Sequence, residues 1–271
     1  MMKRLLLLTV LLVCLTPGLW AEPWAIATSA APLAGTVSCV TVTTGQSNTD
    51  AMTYDTASIT PTAGALVLVY VGNIESGVTP DTPTVAGNSL TYAQVATVFQ
   101  VDGADYIRTT VFRAMGTATT GLATITFANT TQLTASWSVA ECTGIDTGGT
   151  NGSAAIVQSA VAGSGQQDCL NEATCTVTLS AFGSADNGAY GAFTNGTSDT
   201  ITVGSGFTSL GSAVTASTPN RSWLVEWRAD EDTTVDAGGG AASADWSAVA
   251  LEIKQAVVAS GGGRVLGGGI F

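Results

Sequence analysis

The sequence predicts an all-β protein, built as a jelly-roll-like antiparallel β-sandwich with an internal duplication. Short runs rich in Val, Ile, Thr and aromatic residues recur between clusters of Gly, Asn, Asp and Pro, which is typical of strands and turns. Beyond the first 21 residues no segment sustains the 3.6-residue apolar period of an amphipathic helix. The chain is 45% hydrophobic and only 10% charged, a composition that favours folding over disorder.

Eleven runs are predicted strands, and one of them alternates clearly. In the run that starts at Ser222, the side chains of Trp223, Val225 and Trp227 share one face, which we expect to pack inward while the other face meets solvent or a partner. The predicted strands are Ser38 to Thr44, Ala65 to Gly72, Tyr92 to Val101, Tyr106 to Met115, Ala123 to Ala128, Thr134 to Cys142, Cys175 to Ser180, Gly188 to Thr194, Phe207 to Val214, Ser222 to Ala229 and Asp245 to Lys254.

The run Leu66 to Val71 contains only apolar and aromatic residues and does not alternate. In an antiparallel sandwich such a strand must be covered on both faces. A loop or the N-terminal segment of the same chain is the simpler cover, and a neighbouring subunit is the alternative.

Four short motifs recur in the same order in both halves, and their separation shrinks steadily along the chain. We therefore predict one sandwich domain over residues 36–255, made of pseudo-repeats at about 36–146 and 147–255; two small sandwiches in series are the alternative. Residues 144–165 join the halves and contain the apolar run Ala154 to Val157, so a further strand is the alternative to a free linker. The matched motifs are Ser38 to Thr44 with Thr174 to Ser180, Gly64 to Val67 with Gly188 to Gly191, Val111 to Ala114 with Glu226 to Ala229, and Ala135 to Ser138 with Ala244 to Ser247.

The N-terminus predicts export. Residues 1–21 contain Lys3 and Arg4, then the apolar run Leu5 to Leu15, and end at Ala21, which is the pattern of a signal peptide. The run is shorter than the roughly 20 residues needed to span a bilayer, and no later stretch is long and apolar enough. We expect an extracellular or cell-surface protein with no transmembrane segment in its mature chain.

The charge balance excludes several functions. The chain has 20 Asp and Glu, 8 Lys and Arg, and no His. Removal of Lys3 and Arg4 would leave six basic residues, too few and too scattered to bind nucleic acid or anionic lipid. Without His, the Ser-His-Asp and Cys-His catalytic arrangements and the usual His-containing zinc sites cannot form. We therefore expect a protein that is not an enzyme.

Four cysteines remain after the leader, and an even number in an exported chain favours disulfides. Cys169 and Cys175 bracket a loop short enough to close on itself, which leaves Cys39 to pair with Cys142. A metal site would need paired short Cys spacings or His ligands, and the sequence has neither.

The order of these segments resembles a family, the uncharacterised exported β-sandwich modules of bacterial surface proteins and of environmental or phage-related sequences. The resemblance covers about Ser38 to Lys254 and rests on the Gly64 strand, Val85 to Tyr92, Val111 to Ala114, Ser138 to Asp146 and the closing Trp246 strand. It implies a jelly-roll-like sandwich and no shared catalytic residues. Cys142 stands where the family commonly has an aromatic residue, which fits the bridge to Cys39.

Two glutamates end corresponding strands of the two halves. Glu141 precedes a turn in the first half, and Glu252 is predicted to hold the matching place in the second. Paired carboxylates about 5 to 9.5 Å apart can hydrolyse glycosides, so glycosidase activity is a third hypothesis. Duplication would place the two groups at symmetry-related positions rather than in one cleft, which favours structural roles at turns.

One dense acidic cluster is a candidate calcium site. Its carboxylates are the hard oxygen ligands that calcium prefers, although the loop lacks the Asp-x-Asp-x-Asp-Gly pattern and a hydrated acidic turn is the alternative. The cluster consists of Asp230, Glu231, Asp232 and Asp236.

The tryptophans bear on carbohydrate binding, the alternative function. Exposed aromatic side chains on a sandwich face would stack on sugar rings. Trp223 and Trp227 lie on the predicted inward face, whereas Trp137 and Trp246 occupy equivalent repeat positions. We therefore expect all four to be structural.

The two ends of the chain lie outside the predicted sandwich. Residues 22–35 are apolar and Ala-rich, and residues 256–271 form a glycine-rich tail that carries Val265, Leu266, Ile270 and Phe271. Such a tail could supply a strand to a neighbour's edge or groove. Our leading hypothesis is a structural or adhesive protein that forms homo-oligomers or polymers, on the cell surface or in an extracellular filament, through sheet edges or these ends.

Overall fold

The computed structural model describes residues 35–167, 169–215, 219–239, 241 and 244–257. Nearly all its regular structure is antiparallel β-strand, which confirms the predicted all-β sandwich. All eleven predicted strands form. The strands are β1 Ser38–Ser47, β2 Thr53–Asp55, β3 Leu66–Ser76, β4 Thr84–Gly87, β5 Leu90–Thr91, β6 Ala93–Asp102, β7 Asp105–Ala114, β8 Ala123–Thr126, β9 Thr134–Thr143, β10 Ile156–Ala162, β11 Cys175–Thr178, β12 Gly188–Asn195, β13 Thr208–Val214, β14 Ser222–Arg228, β15 Thr234–Ala237 and β16 Trp246–Ile253, with a 3-10 helix at Thr150–Ala155.

Two five-stranded sheets form the centre of the molecule. The first central sheet has the order β1-β9-β3-β7-β6, and the second has the order β10-β16-β12-β14-β13. Their facing sides share one apolar core, to which Leu68 and Val111 contribute from the first half and Ala192 and Val249 from the second. The two halves of the chain are therefore joined by a common core, since neither sheet could bury this face alone.

A smaller sheet covers the outer face of each central sheet. The order β2-β8-β4-β5 covers the first sheet and the pair β11-β15 covers the second, each over its own apolar core. Within a half, the chain alternates between the central and the outer sheet, which is the arrangement of a jelly roll. The molecule is thus four sheets deep.

This layering explains the apolar strand Leu66 to Val71. The side chains of Leu66, Leu68 and Tyr70 enter the central core, whereas Val67 and Val69 pack beneath the first outer sheet. The cover is a sheet of the same chain, so neither a loop, the N-terminal segment nor a neighbouring subunit is needed.

The strand register makes the duplication explicit. The pair Leu66 and Cys142 in the first half corresponds to the pair Tyr190 and Leu251 in the second, because β3 and β9 occupy the places of β12 and β16. Two of the four motif matches, those of β3 with β12 and of β9 with β16, therefore hold in register.

The other two matches are wrong. Strand β1, which holds Cys39, is equivalent to β10 and not to the Cys175 strand β11, since β1 and β10 are the edge strands beside β9 and β16. The match of Val111 with Glu226 is three residues out of register, because Ala114 pairs with Val67 as Glu226 pairs with Gly191. Short segments of Thr, Val and Ser occur on many strands, so their sequence similarity was not enough to determine which strands and residues correspond.

The alternating strand β14 is buried on both faces. Trp223 and Val225 enter the central core as predicted. Leu224 and Glu226, which we expected to meet solvent or a partner, are buried instead, because the pair β11 and β15 covers them.

The four edge strands of the central sheets are protected by bulges. Strands β1, β6, β10 and β13 each contain a register shift, and none contains Lys or Arg. A bulge bends an edge and discourages pairing with another chain. In addition, Thr41 of β1 donates a hydrogen bond to the Leu210 carbonyl of β13 at 2.9 Å. Assembly through sheet edges stays a prediction, and these bulges oppose it at the central sheets.

Candidate functional site

Both predicted disulfides are confirmed. Cys39 and Cys142 are direct register partners on β1 and β9, with their Cα atoms 4.1 Å apart. Cys169 and Cys175 close the short loop before β11. The first bridge ties the opening strand of the first half to its last strand, and all four cysteines are buried.

Glu141 and Glu252 have separate structural roles. The carboxylate of Glu141 accepts hydrogen bonds from the backbone N–H of Thr62 at 2.8 Å and from its hydroxyl at 2.9 Å. Glu252 is fully buried and accepts from the side-chain amides of Asn187 and Gln158, both at 2.6 Å.

The two glutamates do not form a catalytic pair. They project from the outer faces of different central sheets, so the central core lies between them. The prediction that they hold matching places is wrong, because the register equivalent of Glu141 is Ala250 and Glu252 lies two residues further along. The carboxylate pair that glycosidase chemistry needs is not assembled from these residues.

Arg228 neutralises part of the acidic cluster. Its guanidinium donates to both carboxylate oxygens of Asp230, at 2.7 and 2.9 Å, and to Asp232 at 2.6 Å. This arginine holds the pKa of Asp230 below its usual range. Within the described ranges, no group of three or more Asp, Glu, His or Cys side chains is placed to hold a metal ion. Calcium binding at Asp230, Glu231, Asp232 and Asp236 stays a prediction, and Arg228 would compete with the cation.

Three of the four described tryptophans are buried. Trp137, Trp223 and Trp246 are 7%, 3% and 0% exposed. Trp227 is partly exposed and lines a cleft at one end of the sandwich. An aromatic platform for a sugar would therefore depend on Trp227.

Sequence reasoning missed a buried acid, Glu226. Its side chain lies between the second central sheet and β15, where one carboxylate oxygen accepts the backbone N–H of Gly204 at 2.9 Å. The other oxygen has no hydrogen-bond partner among the described residues. Burial raises the pKa of Glu226 to about 8. No sequence signal marks this residue, because its burial depends on a covering loop that is distant in the chain.

Both ends of the described chain leave the sandwich at the same end, which we call the tail pole. Residues 254–256 run beside residues 144–146, with the N–H of Ala256 donating to the Gly144 carbonyl at 2.9 Å. Gly35 and Val257 line one cleft there. Residues 1–34 and 258–271 are therefore attached to one end of the body.

Three clefts meet at the tail pole. The first, which we call the Val157 cleft, measures about 420 Å³ and is lined by Ala154, Val157, Gly183, Ser184, Asn187, Lys254, Gln255 and Val257. The second, the Trp227 cleft, measures about 500 Å³ and shares Gln255 with the first. The third measures about 450 Å³ and shares Val257. The pole thus presents one continuous indented surface.

The rim of the Val157 cleft is apolar and exposed. The side chains of Val157 and Val257 are 47% and 80% exposed. Beside them, the Nζ of Lys254 lies 2.8 Å from an Asp146 carboxylate oxygen, an ion pair that holds the pKa of Asp146 below its usual range. The cleft therefore combines exposed valines with polar groups that already have partners.

The predicted assembly residues Val265, Leu266, Ile270 and Phe271 lie outside the described residues, as do the predicted leader and residues 22–34. Of the predicted functional elements, the structure places the disulfides, the two glutamates, the acidic cluster and four tryptophans. It adds the tail pole and Glu226.

In the described part of the chain, no helix has the length and apolar character needed to cross a membrane.

Comparison with known proteins gives no relative. No protein-family model, curated protein or solved structure matches the chain.

Proposed function

We propose that this chain is a non-enzymatic, exported structural or adhesive protein that is held or assembled through its tail pole. The observation that carries the proposal is the position of the two chain ends. Both leave the sandwich beside exposed valines and contiguous clefts, while the edges of the central sheets are bulged. Attachment through one pole would leave the rest of the body free for contact.

Export is supported by the leader-like segment and by the disulfides. Residues 1–21 have the pattern of a signal peptide, and two buried disulfides are typical of proteins that fold outside the cytosol. The mature protein would therefore act at the cell surface or in extracellular material.

A structural role is supported by how the body is built. Four layers of antiparallel sheet, a shared central core and two covalent cross-links make a body that resists deformation. Its low content of charged residues makes the surface easy to dehydrate against another surface. These properties suit a subunit that makes repeated contacts in an assembly.

Negative-stain microscopy of material released from the producing cell tests the proposal. We expect ordered fibres or layers whose repeat is about the size of one sandwich. Uniform single particles, together with no protein retained at the cell surface, would contradict it.

Carbohydrate binding is the second candidate, and Trp227 is the observation that favours it. This side chain lines a cleft with Asp186, Asp230 and Gln255, a combination of aromatic and polar groups that suits a sugar ring. A binding glycan would shift the Trp fluorescence and be retained by the wild type but not by Trp227→Ala. Retention of the same glycan by the variant would exclude this site.

A further inference from the structure

We infer that the Val157 cleft binds residues 258–271 of a neighbouring copy of this chain. The inference rests on the proposed function, because it names the contact through which the tail pole would assemble. Four observations support it: the chemistry of the cleft, the composition of the tail, the charges of the tail and of the pole, and the place where the chain leaves the described structure.

The cleft is suited to an apolar chain segment. Its rim presents the exposed side chains of Val157 and Val257. Two of the polar side chains in the cleft already have partners: Asn187 donates to Glu252 and accepts from the N–H of Gln255 at 3.0 Å, and Lys254 pairs with Asp146. A ligand would therefore gain little from hydrogen bonds to these groups and more from covering the two valines.

The tail has the matching composition. Residues 258–271 contain the apolar side chains of Val258, Val265, Leu266, Ile270 and Phe271, separated by two runs of three glycines. Glycine lets the backbone approach a surface closely and turn without steric cost. The segment can therefore place separate apolar side chains into shallow clefts.

Charge favours the same pairing. Arg264 is the single charged side chain in residues 258–271. The Trp227 cleft, next to the Val157 cleft, is lined by Asp186, Asp230 and Arg228. Arg228 pairs with Asp230, so Asp186 is the carboxylate of this cleft that is left for Arg264 to approach. In a protein with a formal net charge of −12, a basic tail is attracted to an acidic pole even though two whole bodies repel each other.

The exit point places the start of the tail beside the cleft. Val257 itself lines the cleft, so two copies whose tail poles meet bring the tail of one within reach of the cleft of the other. A tail that passes from each copy into the cleft of the next links the copies in series, as the proposed assembly requires, whereas reciprocal exchange about a two-fold axis would stop at two copies. Fourteen extended residues reach about 46 to 50 Å, longer than the ten-residue strands of the central sheets, so the tail can span such a contact.

Engineered cysteines test the contact, because the four described cysteines are already paired. The full exported chain carrying Val157→Cys is mixed with the full chain carrying Leu266→Cys under mild oxidation. We expect a cross-linked heterodimer. The matched control replaces Val157→Cys by Val78→Cys, since Val78 is 50% exposed and follows β3 at the opposite end of the sandwich. Cross-linking no greater than in this control would overturn the inference.

The double variant Val157→Cys/Leu266→Cys separates exchange from folding back. A covalent dimer supports exchange between copies, whereas a cross-link confined to one chain overturns it.

A charge substitution separates this inference from the proposed function. Val157→Asp should convert the assembly to single chains with unchanged circular dichroism, whereas Val78→Asp should leave the assembly intact. If Val157→Asp assembles as the wild type does, the cleft contact is wrong and the proposed function stands. If the wild type itself neither assembles nor remains at the cell surface, the proposed function is wrong.

Discussion

The two halves of the molecule have the same strand order in their central sheets but differ in their outer sheets. In the first half, the outer sheet has four strands, including the short β4 and β5. In the second half, only β11 and β15 form, and residues 196–207 run where two further strands would lie. In this segment one isolated β-bridge, between Thr202 and Gly238, takes the place of a paired outer strand.

The central sheets of the two halves also differ at one pair of equivalent positions. The first half has the apolar pair Val67 and Ala114, and the second has Gly191 and Glu226. The missing side chain of Gly191 leaves room for the carboxyl group of Glu226, whose oxygen lies 3.2 Å from where a Cβ would stand. That carboxyl accepts the N–H of Gly204 in the covering loop. Where strands are lost, a buried acid supplies the acceptor that a neighbouring strand would have provided.

Removal of the disulfides should show the largest effect, and it should be unequal between the halves. Cys39 and Cys142 are 103 residues apart, whereas Cys169 and Cys175 are 6 apart. By loop-closure entropy, replacing the first pair with Ala should lower the free energy of unfolding by about 4 to 5 kcal/mol and replacing the second by about 2 kcal/mol. Urea unfolding measures both, and equal losses would contradict the entropic account.

The buried acid should make the second half sensitive to pH. The pKa of Glu226 is raised to about 8 by burial, so the folded state keeps this proton when the unfolded state has lost it. Below the unfolded pKa of about 4.3 both states are protonated, and the contribution of Glu226 to stability is fully present. That contribution is lost as the pH rises from there through 8, the folded-state pKa. Between pH 5 and 9 the free energy of unfolding should fall by on the order of 4 kcal/mol.

The matched variant is Glu226→Gln, which keeps the shape and removes the titration. Urea unfolding of the variant should show this loss abolished. The same loss of stability with pH in both proteins would mean that another group is responsible.

Two buried tyrosines at the junction of the halves should respond differently. The hydroxyl of Tyr70 lies 2.8 Å from that of Thr194 across the central core, and Thr194 in turn lies 2.7 Å from Thr109. The hydroxyl of Tyr190 has no partner within the described ranges. Tyr70→Phe should cost about 1 to 2 kcal/mol, whereas Tyr190→Phe should be neutral or slightly stabilising. Thermal unfolding compares the two, and equal losses would contradict the network.

The smallest effect is expected at the ion pair that joins the halves at the tail pole. Lys254 and Asp146 lie 2.8 Å apart, with the lysine side chain 41% exposed. Because such pairs are screened by solvent, Lys254→Met should change stability by less than about 1 kcal/mol. A larger loss, measured by urea unfolding in low and in high salt, would show that the pair holds the halves together.

Much of the fold could be predicted from the sequence. The apolar run of β3 and the Thr, Trp and Val residues of β9 predicted these two long strands, and the spacing of the four cysteines predicted both disulfides. Strands β2, β4, β5 and β15 were missed, because segments of two to four residues carry too few side chains to show a period.

The candidate site was less accessible to sequence reasoning. The burial of Glu226 depends on Gly191 across the sheet and on Gly204 in a distant loop. The tail pole depends on how residues 254–256 pair with residues 144–146. Neither arrangement leaves a local pattern, since both arise from the packing of distant segments.

Sedimentation velocity over a range of concentrations tests the central claim, assembly through the tail pole. The full exported chain is compared with a chain that ends at Val257. We predict that the full chain forms a larger species as its concentration rises, whereas the shortened chain stays a monomer with the same circular dichroism. A full chain that remains monomeric at every concentration, or a shortened chain that assembles equally well, would contradict the account.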